Sequence, residues 1–165
     1  MTVNTAKAPR RELHFHCFGC LRSELDRIDA AHAAGTLRTT GNWSAGEILD
    51  HCAILIESAL DGVSQQAPLI ARLFGRLMKG SMLKPKTMKA GFKLPEGAKH
   101  LLPRPGVSFE QGMARIRRAL ARVAAGEQMD KPSGWLGPLT HEQWERLNLN
   151  HTQLHLGFMS YQSAA

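Results

Sequence analysis

The chain has 165 residues, a formal net charge of +7 and 43% hydrophobic residues, which is enough for one domain with a real core and too apolar for a disordered chain. Its unbroken apolar runs are short, such as Cys52 to Ile56, where a membrane span needs about 20 residues, so no membrane is expected among its partners. Three cysteines at unrelated spacings argue against a disulfide framework and for the reducing cytoplasm, and "MTVNTAKAPRRELHFH" has no apolar segment after its basic residues, unlike a secretory signal.

Residues 1–11 read as a flexible N-terminal arm. "HFHCFGC" at 14–20 follows, with His14, His16, Cys17 and Cys20 in a pattern that suggests half a zinc site. A structural zinc site draws a second ligand pair from further along, and Cys52 stands alone. A plain entry from an extended segment into a helix is the preferred reading, and the cluster is expected to be metal-free. A redox role of the thioredoxin kind would need a βαβ setting, which the sequence lacks. Leu21, Leu25, Ile28 and His32 then share a face, and Gly35 stands where a helix stop belongs, predicting a helix over 18–34.

Three further helix starts carry a capping box, a Ser or Thr followed three residues later by Glu or Gln: Ser44 with Glu47, Ser108 with Gln111, and Thr140 with Gln143. They predict helices over 45–61, 108–125 and 141–161. Between the first two lies a shorter amphipathic piece, about 67–78, with Leu69, Leu73 and Leu77 along one side and Ile70 and Phe74 beside them. The segment 80–107, with Pro85, Pro95, Pro103 and Pro105, reads as a long crossover loop, and 131–139 as a second irregular connection. No strand set is visible; "ELHF" alternates but has no partner. The expected fold is all-α: an antiparallel four-helix bundle in a single domain spanning 1–165.

From Arg72 to Arg104 the sequence sets Arg72, Arg76, Lys79, Lys84, Lys86, Lys89, Lys93, Lys99 and Arg104 against Glu96 alone. Such a segment can attract nucleic acid or anionic small molecules. Without stacking aromatics or a nucleic-acid motif, a solvated basic face is the plainer reading.

The last helix raises the sharpest chemical question. His151 and His155 lie four apart in a stripe formed with Trp144, Leu147, Leu154 and Phe158, so both imidazoles are expected to face the core. A buried imidazole must satisfy both nitrogens, by hydrogen bonds or by a metal. His51, flanked by Ile48, Ile54, Leu55 and Ser58, meets the same condition. Alone, each reads as a core histidine; together, three inward histidines on two helices match the ligand count of a catalytic metal centre. Glu47, one turn before His51, is a candidate hydrogen-bond acceptor behind the ligands, although capping explains it. Asn148 lies on the histidine stripe. Trp43 and Trp144 are candidate pocket walls, with core packing the plainer role, and His32 reads as a hydrogen-bonded histidine.

The stretches "TTGNWSAGEILDHCAILIESALDG" (39–62) and "GWLGPLTHEQWERLNLNHTQLHLGF" (134–158) resemble the DinB-like (YfiT-like) superfamily of bacterial four-helix proteins. The resemblance implies a divalent metal held by His51, His151 and His155. The superfamily often has His-x-x-His-His followed by Leu-Arg-Gln in its last helix; here the middle histidine and the Arg-Gln pair are absent. It implies transfer or isomerisation with a low-molecular-weight thiol, or metal-assisted hydrolysis; the alternative is a non-enzymatic metal- or ligand-binding bundle. Three neutral imidazoles suit Zn, Ni, Fe or Cu alike. The expected partners are a small-molecule substrate or thiol, with a homodimer allowed and nucleic acid disfavoured.

Overall fold

The structure is a computed structural model and describes residues 2–63, 67–85, 88–91 and 101–161. Five helices follow in order: α1 (Phe18–Ala33), α2 (Ala45–Asp61), α3 (Leu69–Met82), α4 (Phe109–Ala124) and α5 (His141–Leu156). All three capping boxes form, each with the hydroxyl accepting from the backbone of the third helical residue and the Glu or Gln side chain returning to the cap. The start of each of these helices is therefore set locally, by satisfying backbone N–H groups that have no partner inside the helix.

Helices α1, α2, α4 and α5 form a bundle around Leu21, Leu25, Ile28, Ile48, Leu49, Ile56, Ile116, Leu120, Trp144 and Leu149, all buried. Helix α1 runs against α4: Arg22 donates to the Leu120 carbonyl, Arg117 pairs with Asp26 and Asp29, and His32 stacks on Phe109 at 3.7 Å. Helices α2 and α4 instead run side by side in the same direction, as Gly46 meets Gly112, Asp50 and Glu57 meet Arg115, and Asp61 meets Arg122. Neighbours of that kind need a long connection, which 80–107 supplies; residues 86–87 and 92–100 of that expected crossover lie outside the described residues. The Gly46–Gly112 approach is tight enough that a Cβ on Gly112 would stand 2.4 Å from the Gly46 carbonyl oxygen. A side chain there would force the helices apart.

The structure differs from the sequence reading at the end of α5, extends it at α3 and gives the N-terminal segment contacts. Helix α5 ends at Leu156, and Met159–Ser160 pairs antiparallel with Arg38–Thr39 as a two-residue ladder, β2 on β1. The helix stops because a non-local neighbour takes over: the Arg11 N–H donates to the Gly157 carbonyl at 2.8 Å, and a Cβ on Gly157 would stand 2.8 Å from the Arg11 carbonyl oxygen. The segment 67–78 becomes a full helix, α3, outside the bundle. The N-terminal segment, expected as a flexible arm, exchanges hydrogen bonds between Val3 and Asn42 and places Arg11 on the buried Glu24, which also accepts from the Tyr161 hydroxyl.

The most constrained polar group is Asp50, fully buried on α2. Its carboxylate accepts from the Arg104 backbone at 3.1 Å, the Arg104 guanidinium at 2.7 Å and the Arg115 guanidinium at 2.7 Å. Burial pushes its pKa up, and the two arginines more than offset this, holding it at about 2. Because the folded value lies below the ordinary one, this stabilisation is fully present above about pH 4 and disappears as pH falls towards 2. Asp50→Asn is expected to lower unfolding free energy near neutrality by roughly 3 kcal/mol, the order of a broken buried pair, and to flatten the acid limb of stability between about pH 4 and 2; urea unfolding across that range checks both.

Candidate metal centre

Helix α2 carries His51 in its second turn, and α5 carries His151 and His155 one turn apart near its C-terminal end. The two helices pack so that the three rings converge: His51–His151 centroids are 4.7 Å apart, and His51–His155 and His151–His155 are each 4.5 Å apart. One ligating atom from each lies within 4.8 Å of the others, and this is the one such group of three among the described residues. His51 Nε2 and His151 Nε2 stand 3.1 Å apart. Nitrogens about 2.0–2.1 Å from a common tetrahedral centre would be about 3.3 Å apart, so this spacing fits a shared ion.

The tautomer of His51 is set from outside the trio. Its Nδ1 lies 2.7 Å from the Leu101 carbonyl oxygen, which can only accept, so Nδ1 carries the hydrogen and Nε2 presents its lone pair to the centre. Leu101 is brought there by Arg104, three residues on, which is clamped to Asp50. His151 Nδ1, the ring nitrogen that does not face His51, is buried with no hydrogen-bond partner. The convergent all-imidazole donor set fits a borderline divalent metal.

All three rings are neutral near pH 7. Burial lowers His51 to about 4 against the opposing pull of the Leu101 carbonyl and Asp50. Burial, then the neighbouring imidazoles, push His151 and His155 well below the ordinary range, and Arg10 pushes His155 further. Neutral imidazole is the form that binds metal. Arg10 is exposed and lies over the Phe158 ring at 5.4 Å, so a cation borders this end of the site.

The other candidates divide. Trp43 belongs to the site: it lies edge-on to His51 at 4.8 Å and stacks on His155 at 5.4 Å with planes 22° apart. Trp144 is a core residue donating its indole N–H to the Lys131 carbonyl at 2.8 Å. Glu47 accepts from the Ser44 and Gly106 backbone N–H groups, a helix-capping role that also ties down the loop before α4. Asn148 is buried and donates to the Trp144 carbonyl at 3.0 Å, its Oδ1 unpartnered. Sequence reasoning overlooked Leu101 and Arg10. A backbone carbonyl in a proline-rich connection carries no residue signature, and Arg10 comes from a segment read as an arm.

The cluster at 14–20 lies apart from this centre. Cys17 and Cys20 hold their sulfurs 3.5 Å apart at the start of α1, and exposed His14 faces Glu12 at 3.4 Å. Replacing Cys17 and Cys20 together by Ser is expected to leave bound-metal stoichiometry unchanged; loss of half or more of the metal by elemental analysis would reassign the site.

Neither curated proteins nor solved structures provide a match to this chain. One family, described as "Protein of unknown function (DUF1569)", matches residues 7–162, which takes in both histidine-bearing helices and the Leu101–Arg104 segment. The chain is a member of the DUF1569 family.

Proposed function

We propose that this chain is a metal-dependent enzyme of DinB-like kind, with His51, His151 and His155 as the protein ligands of one divalent ion and open positions left for substrate. The observation that carries the reading is the convergence of three neutral imidazoles, with His51 Nε2 and His151 Nε2 at 3.1 Å. A divalent ion held there would supply Lewis-acid chemistry, lowering the pKa of a bound water to about 7 or stabilising a bound thiolate. The chain's own residues do the rest. The Leu101 carbonyl holds the His51 tautomer, Trp43 covers two of the rings, and Arg10 offers a cation to an anionic group on the incoming molecule. Two reaction classes suit this arrangement: transfer or isomerisation with a low-molecular-weight thiol, which the resemblance favours, and hydrolysis.

Metal titration of the wild type and of His51→Ala, His151→Ala and His155→Ala tests the centre. Each variant is expected to stay helical and soluble and to lose affinity by more than the roughly 10–100-fold typical of losing a supporting partner. A His51→Ala protein that binds as tightly as wild type would refute the three-histidine centre. Arg104→Ala removes no ligand but frees the segment that aims Leu101 at His51; its metal affinity is expected to fall by about tenfold or more, within the range for such supporting groups, and isothermal titration measures it.

The enclosure of the rings by Trp43 also favours a second reading, a non-enzymatic metal-binding bundle with a closed site. The visible spectrum of the Co(II)-loaded protein separates the two. A shift on adding a small thiol indicates an exchangeable position, and an unchanged spectrum indicates a closed one.

A further inference from the structure

Eight large hydrophobic residues are exposed among the described residues, and six of them lie on α3: Leu69, Ile70, Leu73, Phe74, Leu77 and Met78. At about 100° per residue, Leu69, Leu73, Leu77, Ile70 and Phe74 fill one arc of roughly 140°. Their exposures are 80, 64, 77, 85 and 55%. The helix therefore turns its apolar face to solvent, the reverse of the usual arrangement.

The orientation is pinned. Gly75 is the one buried residue of α3, and it sits directly on Trp135, where a Cβ would meet the Trp135 carbonyl oxygen at 2.6 Å. The Trp135 indole donates to the Ala71 carbonyl at 2.7 Å, and Lys79 Nζ donates to the Pro138 carbonyl at 2.6 Å. At the two ends, the Ala67 N–H donates to Gly134, and the Asn150 amide donates to the Met82 and Lys84 carbonyls. A larger residue at position 75 would lift the helix off its seat, so the small residue faces the protein and the large ones face away.

We propose that the outward face of α3 docks on an anionic lipid surface. Leu69, Ile70, Leu73, Phe74 and Leu77 enter the boundary between headgroups and acyl chains, and Arg72 and Arg76, along one border of the same arc, meet the headgroups. Charge selects this occupant. Between Asp61 and Glu110 the chain has Glu96 as its one acidic residue, so a second copy laid on this face would set cations against cations. Area points the same way. A helix of 14 residues is about 21 Å long and about 10 Å wide, far short of the roughly 800 Å² per partner of a stable protein interface. A bilayer sets no such minimum; apolar insertion and headgroup attraction simply add. Among the described residues no helix is long and apolar enough to cross a membrane, and the mode proposed lies in the plane of the surface.

The test is co-sedimentation of the full chain with vesicles of phosphatidylcholine alone and of phosphatidylcholine with about 30% phosphatidylserine. Partitioning onto the anionic vesicles is expected to exceed that onto neutral ones by about tenfold or more and to fall several-fold between about 0.1 and 0.5 M salt. Leu73→Glu with Phe74→Glu is expected to reduce binding by more than about tenfold, since each loses a burial that favours insertion. Arg72→Glu with Arg76→Glu should abolish the preference for the anionic vesicles. None of the four is a core residue or a proposed metal ligand, so helicity and metal content should match wild type. Failure of the wild type to bind anionic vesicles, or equal binding by the Leu73/Phe74 variant, overturns the proposal. So does a wild-type dimer in sedimentation equilibrium that Leu73→Glu dissociates while vesicle binding is unchanged; that would give the face to a second copy.

Discussion

A single buried carboxylate organises the bundle. Asp50 has no access to solvent, and an ion in that position is tolerated only when opposite charges and hydrogen bonds surround it. Arg115 comes from α4 and draws in Glu57, tying α2 to its parallel neighbour; Arg104 comes from the connection that must return across the molecule. The next residue on α2 is His51, which meets Leu101 on the same clamped connection and faces α5. The charge pair on Asp50 thus positions the segment that supplies the hydrogen bond to its neighbour His51.

This coupling marks what a sequence can and cannot convey. The helix starts at Ser44, Ser108 and Thr140 were legible because a capping box is satisfied within four residues. The inward direction of His51, His151 and His155 was legible because apolar neighbours at helical spacing define a buried stripe. The end of α5 was not, because Gly157 is met by Arg11 from the far end of the chain. The Arg38–Thr39 and Met159–Ser160 ladder is two residues long on each side, too short for any alternation to register. The amphipathic pattern of α3 was visible, but periodicity reports that one face is apolar and not which way it points. That depended on Gly75 and Trp135, distant in sequence and pressed together in space.

The centre also shows how position on a bundle prepares chemistry. Three imidazoles crowded together would repel if protonated, and burial removes the protons before that conflict arises. What remains is a set of neutral imidazoles, His51 paired with the Leu101 carbonyl and with His151 Nε2, held by two helices whose starts are fixed independently by their own caps. Rigid elements carry the three histidines, while loops and the N-terminal segment supply the Leu101 carbonyl and Arg10. A division of this kind lets the surroundings of a site vary while its donor set stays in place.

Trp43 gives the centre an optical handle. Of the chain's three tryptophans, Trp144 is sealed in the core and Trp135 sits under α3, while Trp43 alone has ring contacts with the histidines. An open-shell ion among those imidazoles would lie within a few ångströms of its indole and quench its fluorescence, leaving the other two emitters to report on the core and on the seat of α3. Were an ion held there, the Trp43 indole would report its arrival without a label, a signal assignable by replacing Trp43 with Phe.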